Sequence, residues 1–121
     1  MDYIFDNERP IYVQLVEKLR IEIISGKLRS GERIPSVRGL ALTARVNPNT
    51  MQKALAELEE IKLIFTERTN GKFVTSDQKL IDKFREKYAN ELSNKYFLGM
   101  QSIGFNKKET INYLKELGGK K

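Results

Sequence analysis

The chain has 121 residues, of which 40% are apolar, with 22 Lys plus Arg against 16 Asp plus Glu for a net charge of +6, and it has neither cysteine nor histidine. The apolar share suits a folded chain, while the missing residue types exclude disulfides, thiolate or imidazole metal sites and any Ser-His nucleophile. No phosphate-binding glycine loop occurs and no apolar run nears the ~20 residues of a membrane span, so no enzyme, cofactor or membrane contact is expected.

The stretch "RPIYVQLVEKLRIEIISGKL" opens as a helix. Pro10 suits the first helical position, Tyr12, Leu15, Val16, Leu19 and Ile23 recur at helical spacing, and Gly26 is a stop. "LRSGERIP" reads as a loop, and "SVRGLALTA" as a short second helix capped by Ser36. "RVN" is long enough only for a tight turn. A third helix follows, with Asn47 as cap, Pro48 in the first position and Met51, Ala54, Leu55 and Leu58 facing inward. A short helix, a tight turn and a capped helix make the helix-turn-helix pattern.

"LIFTERTNGKFVT" then changes period. Asn70-Gly71 predicts a two-residue type I′ loop, with Thr69 facing Lys72, Arg68 facing Phe73 and Glu67 facing Val74. From Asp77 the helical period returns. Ile81, Phe84, Tyr88 and Leu92 stripe one long helix that frays or bends near Gly99 or Gly104. Asn106 with Glu109 forms a capping-box pattern before Ile111, Leu114 and Leu117. Two such helices have little core of their own, so their apolar stripe needs another surface.

The expected fold class is mainly α with a small β-hairpin wing. A winged helix-turn-helix domain spans residues 1–76, with the recognition helix at 48–60 and the wing at 64–75. A two-helix C-terminal tail spans residues 77–121. Acids at Asp2, Asp6 and Glu8 interrupt any signal peptide, so the chain is expected in the cytoplasm.

Charge is unevenly placed. From Lys27 to Lys53 the bases are Lys27, Arg29, Arg33, Arg38, Arg45 and Lys53, against Glu32 alone. The third helix has no carboxylate in its first turn, although the positive end of a helix dipole favours one there. Its acids, Glu57, Glu59 and Glu60, come late. The outward side of that first turn is Asn49, Thr50, Gln52 and Lys53. Amides pair with adenine through two hydrogen bonds, a hydroxyl serves either kind of base, and Lys suits phosphate or guanine. Double-stranded DNA is therefore the expected partner, with Arg68 and Lys72 as further bases beside the hairpin tip. Taken singly, the Asn-Pro-Asn-Thr start also serves capping alone, and Arg38, Arg68 and Lys72 also read as solvated charges. Two other functions stand beside this one: a protein-interaction adaptor built on a winged-helix domain, and a non-specific nucleic-acid-binding protein.

From Pro10 to Val74, the stretches "PIYVQLVEKLRIEIISGKLRSGERIPSVRGLA", "VNPNTMQKALAELEEIKLI" and "NGKFV" resemble the N-terminal domain of GntR-family bacterial transcription regulators. The short two-helix tail resembles the YtrA subfamily. The resemblance implies a homodimeric repressor on a palindromic operator. It implies DNA contact by Arg38, by Asn49, Thr50 and Gln52 at the opening of the recognition helix, and by the wing tip at Gly71 with Lys72 beside it. It also implies dimerisation through the tail, whose apolar residues are Ile81, Phe84, Tyr88, Leu92, Ile111 and Leu114. Other branches often carry arginines where Pro48 and Gln52 stand, so their base preference does not transfer. No metal or cofactor is implied, no small-molecule pocket is legible in the tail, and any effector is unknown.

Overall fold

The five helices and two strands run in the order α1 (Ile11–Ile24), α2 (Val37–Ala44), α3 (Pro48–Glu60), β1 (Ile64–Glu67), β2 (Gly71–Val74), α4 (Gln78–Ser102) and α5 (Lys107–Gly119). The structure, a computed structural model, describes residues 3–119. The chain divides into two compact units, with the division between Phe84 and Arg85, inside α4.

In the first unit α3 packs against α1, α2 and the start of β1. Its buried face is Met51, Ala54, Leu55 and Leu58, the four residues expected from spacing. They meet a core that includes Leu15, Leu19 and Ile23 of α1, Leu40, Ala41 and Ala44 of α2, and Leu63, Ile64 and Val74 around the strands. Removing these side chains from water supplies most of the driving force, at roughly 1.5–3 kcal/mol per large side chain.

The ends of the helices follow local chemistry. Ser36 Oγ accepts from the Gly39 amide at 3.0 Å, and Asn47 Oδ1 accepts from the Asn49 amide at 2.8 Å. Pro10 stands one residue outside α1 as its cap instead of occupying the first helical position. Both α2 and α3 stop through a non-glycine residue in the left-handed region. Arg45 has φ 58° and ψ 48°, and Lys62 has φ 69°. In each case the next amide bonds back over a full turn, Val46 N–H to Ala41 O and Leu63 N–H to Leu58 O, both at 3.0 Å. Before α1, the buried amide of Gln14 holds the incoming chain: it accepts from Asp6 N–H and donates to the carbonyls of Asp6 and Arg9.

The hairpin forms where expected but in a different register. Ile64 faces Val74, Phe65 faces Phe73, Thr66 faces Lys72 and Glu67 faces Gly71, so the expected pairs Thr69–Lys72, Arg68–Phe73 and Glu67–Val74 do not occur. Packing decides the difference. The observed register buries Ile64 and Val74 together and stacks Phe65 on Phe73 with ring centroids 5.7 Å apart. The expected one would have set Phe73 and Val74 opposite charged residues. The loop is correspondingly longer, closing with Asn70 N–H on Glu67 O at 3.3 Å, and only Gly71, at φ 94°, takes positive φ. The segment before α2 adds a third rung: Val74 N–H donates to Glu32 O and Ile34 N–H to Lys72 O, each at 2.8 Å, and Arg33 bridges Phe73.

In the second unit α4 continues through Gly99 to Ser102, and the chain turns at Gly104, φ 99°. The capping box forms as expected, with Glu109 N–H on Asn106 Oδ1 at 2.8 Å and Asn106 N–H on Glu109 Oε1 at 3.0 Å. Phe105 meets Tyr113 edge to face. Among the described residues, no helix is long and apolar enough to cross a membrane.

Candidate nucleic-acid interface

The capped start of α3 projects an uncharged-to-basic surface. Asn49, Gln52 and Lys53 are exposed and Thr50 is half-buried, with no acid in the first turn of α2 or of α3. Because Asn47 already satisfies one amide there, the side chains of Asn49 and Gln52 stay available to an outside partner. Lys53 is less free than its position in the sequence suggests. Its ammonium lies 3.8 Å from the centroid of the Tyr12 ring on α1, a cation–π contact that fixes the charge beside the helix start.

Arg38 stands exposed in the first turn of α2, and Arg68 is exposed on the hairpin loop. Neither takes part in an ion pair among the described residues. Unpaired guanidinium groups beside a helix start attract phosphate oxygens, which they bind bidentately.

Lys72 is placed otherwise. Its ammonium turns back from the hairpin to Glu59 Oε1 of α3 at 2.5 Å and to Thr66 Oγ1 at 2.9 Å, and the Thr66 hydroxyl also donates to Glu59. Burial pushes the Glu59 carboxyl up, but its hydrogen bonds from Lys72 and Thr66, with the Lys72 charge, outweigh this and hold it below the ordinary carboxylate value. A carboxyl lowered by folding contributes stability above its unfolded pKa of about 4.3, and that contribution disappears as pH falls through the folded value. The stability difference between wild type and Glu59→Ala should therefore be full at neutral pH and shrink toward zero in acid. Urea melts of both proteins across that range check it, and a difference independent of pH would refute it.

Arg33 has no expected role beyond its place in the basic stretch from Lys27 to Lys53. In the structure it lines a cleft of about 530 Å³ between the start of α2 and the hairpin, together with Ser36, Val37, Arg68, Thr69 and Gly71. Its guanidinium lies 3.6 Å from where a Cβ on Gly71 would stand, which is ordinary contact, so φ and not space selects glycine at the tip. Arg33 is held by an isolated bridge to Phe73, and a pairing that short leaves no alternation in the sequence.

The tail residues fall into two groups. Ile81 is 2% exposed and Phe84 half-buried, both within the first unit. Ile81 is thus a core residue of its own chain, and a partner cannot reach it. In the second unit Tyr88 is half-buried, while Leu92, Tyr96, Leu98, Ile111, Tyr113, Leu114 and Leu117 are exposed. That is more apolar surface than a small monomer usually leaves to water.

Comparison with known proteins agrees with this geometry. Residues 11–74 match the gntR family of bacterial regulatory proteins. The HTH-type transcriptional regulator YhcF of Bacillus subtilis is 30% identical over 115 residues, 95% of this chain and 95% of that protein. The HTH-type transcriptional repressor YtrA of the same organism is 37% identical over 70 residues, 58% of this chain and 54% of that protein. A solved GntR family transcriptional regulator from Listeria monocytogenes superposes with a TM-score of 0.86 at 38% identity, covering 93% of this chain and 98% of that one. With residues 11–74 matched to the family and a relative aligned over 95% of both chains, the chain belongs to the GntR family: it is a DNA-binding transcription regulator, not an enzyme.

Proposed function

We propose that the protein is a repressor that binds a palindromic operator as a homodimer, residues 1–76 meeting DNA and residues 77–121 carrying self-association. One observation carries this reading: the start of α3 is exposed, acid-free and lined by amides, a hydroxyl and a lysine. Asn49, Thr50 and Gln52 read base edges there. Lys53, Arg38 and Arg68 hold phosphates, and the wing tip at Gly71, whose close approach needs no side chain, follows the backbone. Repression is favoured by the similarity to YtrA, itself a repressor. Dimerisation is favoured by the exposed Leu92, Ile111 and Leu114, and a two-fold dimer places its recognition helices about 34 Å apart on matching half-sites.

The test is titration of the protein against the DNA upstream of its own gene and against scrambled DNA, at two salt concentrations. Salt-sensitive binding with a preference of at least about a hundredfold for one duplex supports a specific regulator. Equal binding to both calls for selection from random DNA, and failure to select any sequence would sink the reading. In the same assay Gln52→Ala should relax discrimination at one position of each half-site by roughly tenfold. Uniform weakening on all sequences would instead make Gln52 a backbone contact.

A further inference from the structure

Glu59 poses a problem for a DNA-binding helix. It is a carboxylate on the recognition helix itself, where like charge with phosphate costs affinity, yet the structure gives it close cationic company. Glu59, Thr66 and Lys72 form a closed triangle in which each group bonds to both others. One corner lies on α3 and one on each strand of the hairpin. Lys72 is only 16% exposed and Glu59 32%, so the ion pair is partly shielded from water, while the Thr66 hydroxyl stands at the surface. Among the described residues no other side-chain hydrogen bond or ion pair joins α3 to the hairpin, and α3 also packs against β1, where Ile64 is buried.

We propose that this triangle is a clasp that sets the wing at a fixed angle to the recognition helix, making Glu59 and Lys72 positioning residues for sequence-specific binding. The proposal rests on the DNA-binding reading above and reassigns Lys72 from contacting DNA to holding the wing. Apolar contacts alone let a two-stranded ribbon rock, because they are non-directional. Charge-assisted hydrogen bonds converging from both strands fix direction as well as distance. A wing held in this way reaches the backbone only when the recognition helix is seated in its groove, so the clasp acts on specific binding and leaves non-specific attraction to the exposed arginines.

The experiment uses the full chain as wild type, Glu59→Ala, Lys72→Glu and the double exchange Glu59→Lys with Lys72→Glu. The probes are a duplex selected from random DNA by the wild-type protein and a scrambled duplex. Amide hydrogen exchange of the hairpin in the free protein is measured in parallel. Glu59→Ala should weaken binding to the selected duplex about tenfold, leave the scrambled duplex bound as well as before or better, and speed exchange of the hairpin amides. The double exchange, which rebuilds the ion pair at unchanged net charge, should return selected-duplex affinity to within about threefold of wild type. Tighter binding of Glu59→Ala to both duplexes would make Glu59 a mere surface charge and overturn the proposal. So would a double exchange that restores hairpin protection yet binds as poorly as Lys72→Glu, because Lys72 would then touch DNA itself. If the wild type selects no sequence, the DNA reading fails, and hairpin exchange alone decides the clasp: protection unchanged in Glu59→Ala refutes it.

Discussion

Leu92→Glu should yield a monomer by sedimentation at micromolar concentration and lower affinity for a palindromic operator at least about a hundredfold. Leu92 is 54% exposed on α4, in the second unit, where Tyr96 and Leu114 also show apolar surface. Glutamate is a good helix former, so α4 itself should persist and the circular dichroism spectrum should not change. In the proposed dimer only the joint between subunits suffers, since a carboxylate buried there without a partner costs several kcal/mol. Once apart, the two winged domains each meet a half-site independently, and the affinity gained from linking them, typically 10²–10⁴-fold, is lost. Half-site binding itself should survive. A variant that stays dimeric would place the interface elsewhere on the chain. One that is monomeric yet binds undiminished would show that the operator is read by single subunits.

Arg38→Ala should weaken operator binding roughly a hundredfold and lower the salt dependence by about two ions per dimer. The arginine is exposed in the first turn of α2, with no ion pair among the described residues to hold it back. A charge-assisted hydrogen bond contributes about 1.5 kcal/mol, and a dimer loses two of them, or about two powers of ten. The fold should be indifferent, because the cap of α2 belongs to Ser36 and not to this side chain. Titrations at several salt concentrations separate the possibilities: an affinity loss with an unchanged slope would take Arg38 off the phosphates and make it a base contact.

Much of this architecture was legible because the signals were local. Asn47-Pro48 fixed the start of α3 to the residue, Ser36 that of α2, and Asn106 with Glu109 that of α5, since a cap is settled by side chains two or three positions away. The hairpin register was not legible, because Asn-Gly signals a turn while the outcome lies in burying Ile64 with Val74 and stacking Phe65 on Phe73. The triangle of Glu59, Thr66 and Lys72 was hidden with it, as Thr66 and Lys72 face each other only in the observed register, and Glu59 stands outside any local window. The tether of Lys53 to Tyr12 joins residues on different helices, and periodicity gives the faces of helices but not which side chains meet across them. Ile81 was legible as apolar, but whether its cover came from its own chain or from a second one depended on packing that spacing does not encode.

The left-handed stops at Arg45 and Lys62 bear on how this sequence can drift. Each holds a long side chain where the Cβ crowds the following carbonyl, at about 1–2 kcal/mol relative to a residue without one. For a domain whose whole stability is typically 5–15 kcal/mol, two such positions keep the protein measurably below the best its fold can reach. Most substitutions in its core lead downhill, whereas glycine at either stop leads uphill. The helix-turn-helix thus sits beside two single-step routes to greater robustness, one of which, at Arg45, removes a positive charge from the most basic stretch of the chain. At that residue backbone strain favours glycine, while the negative end of the α2 dipole and a polyanion partner both favour the arginine.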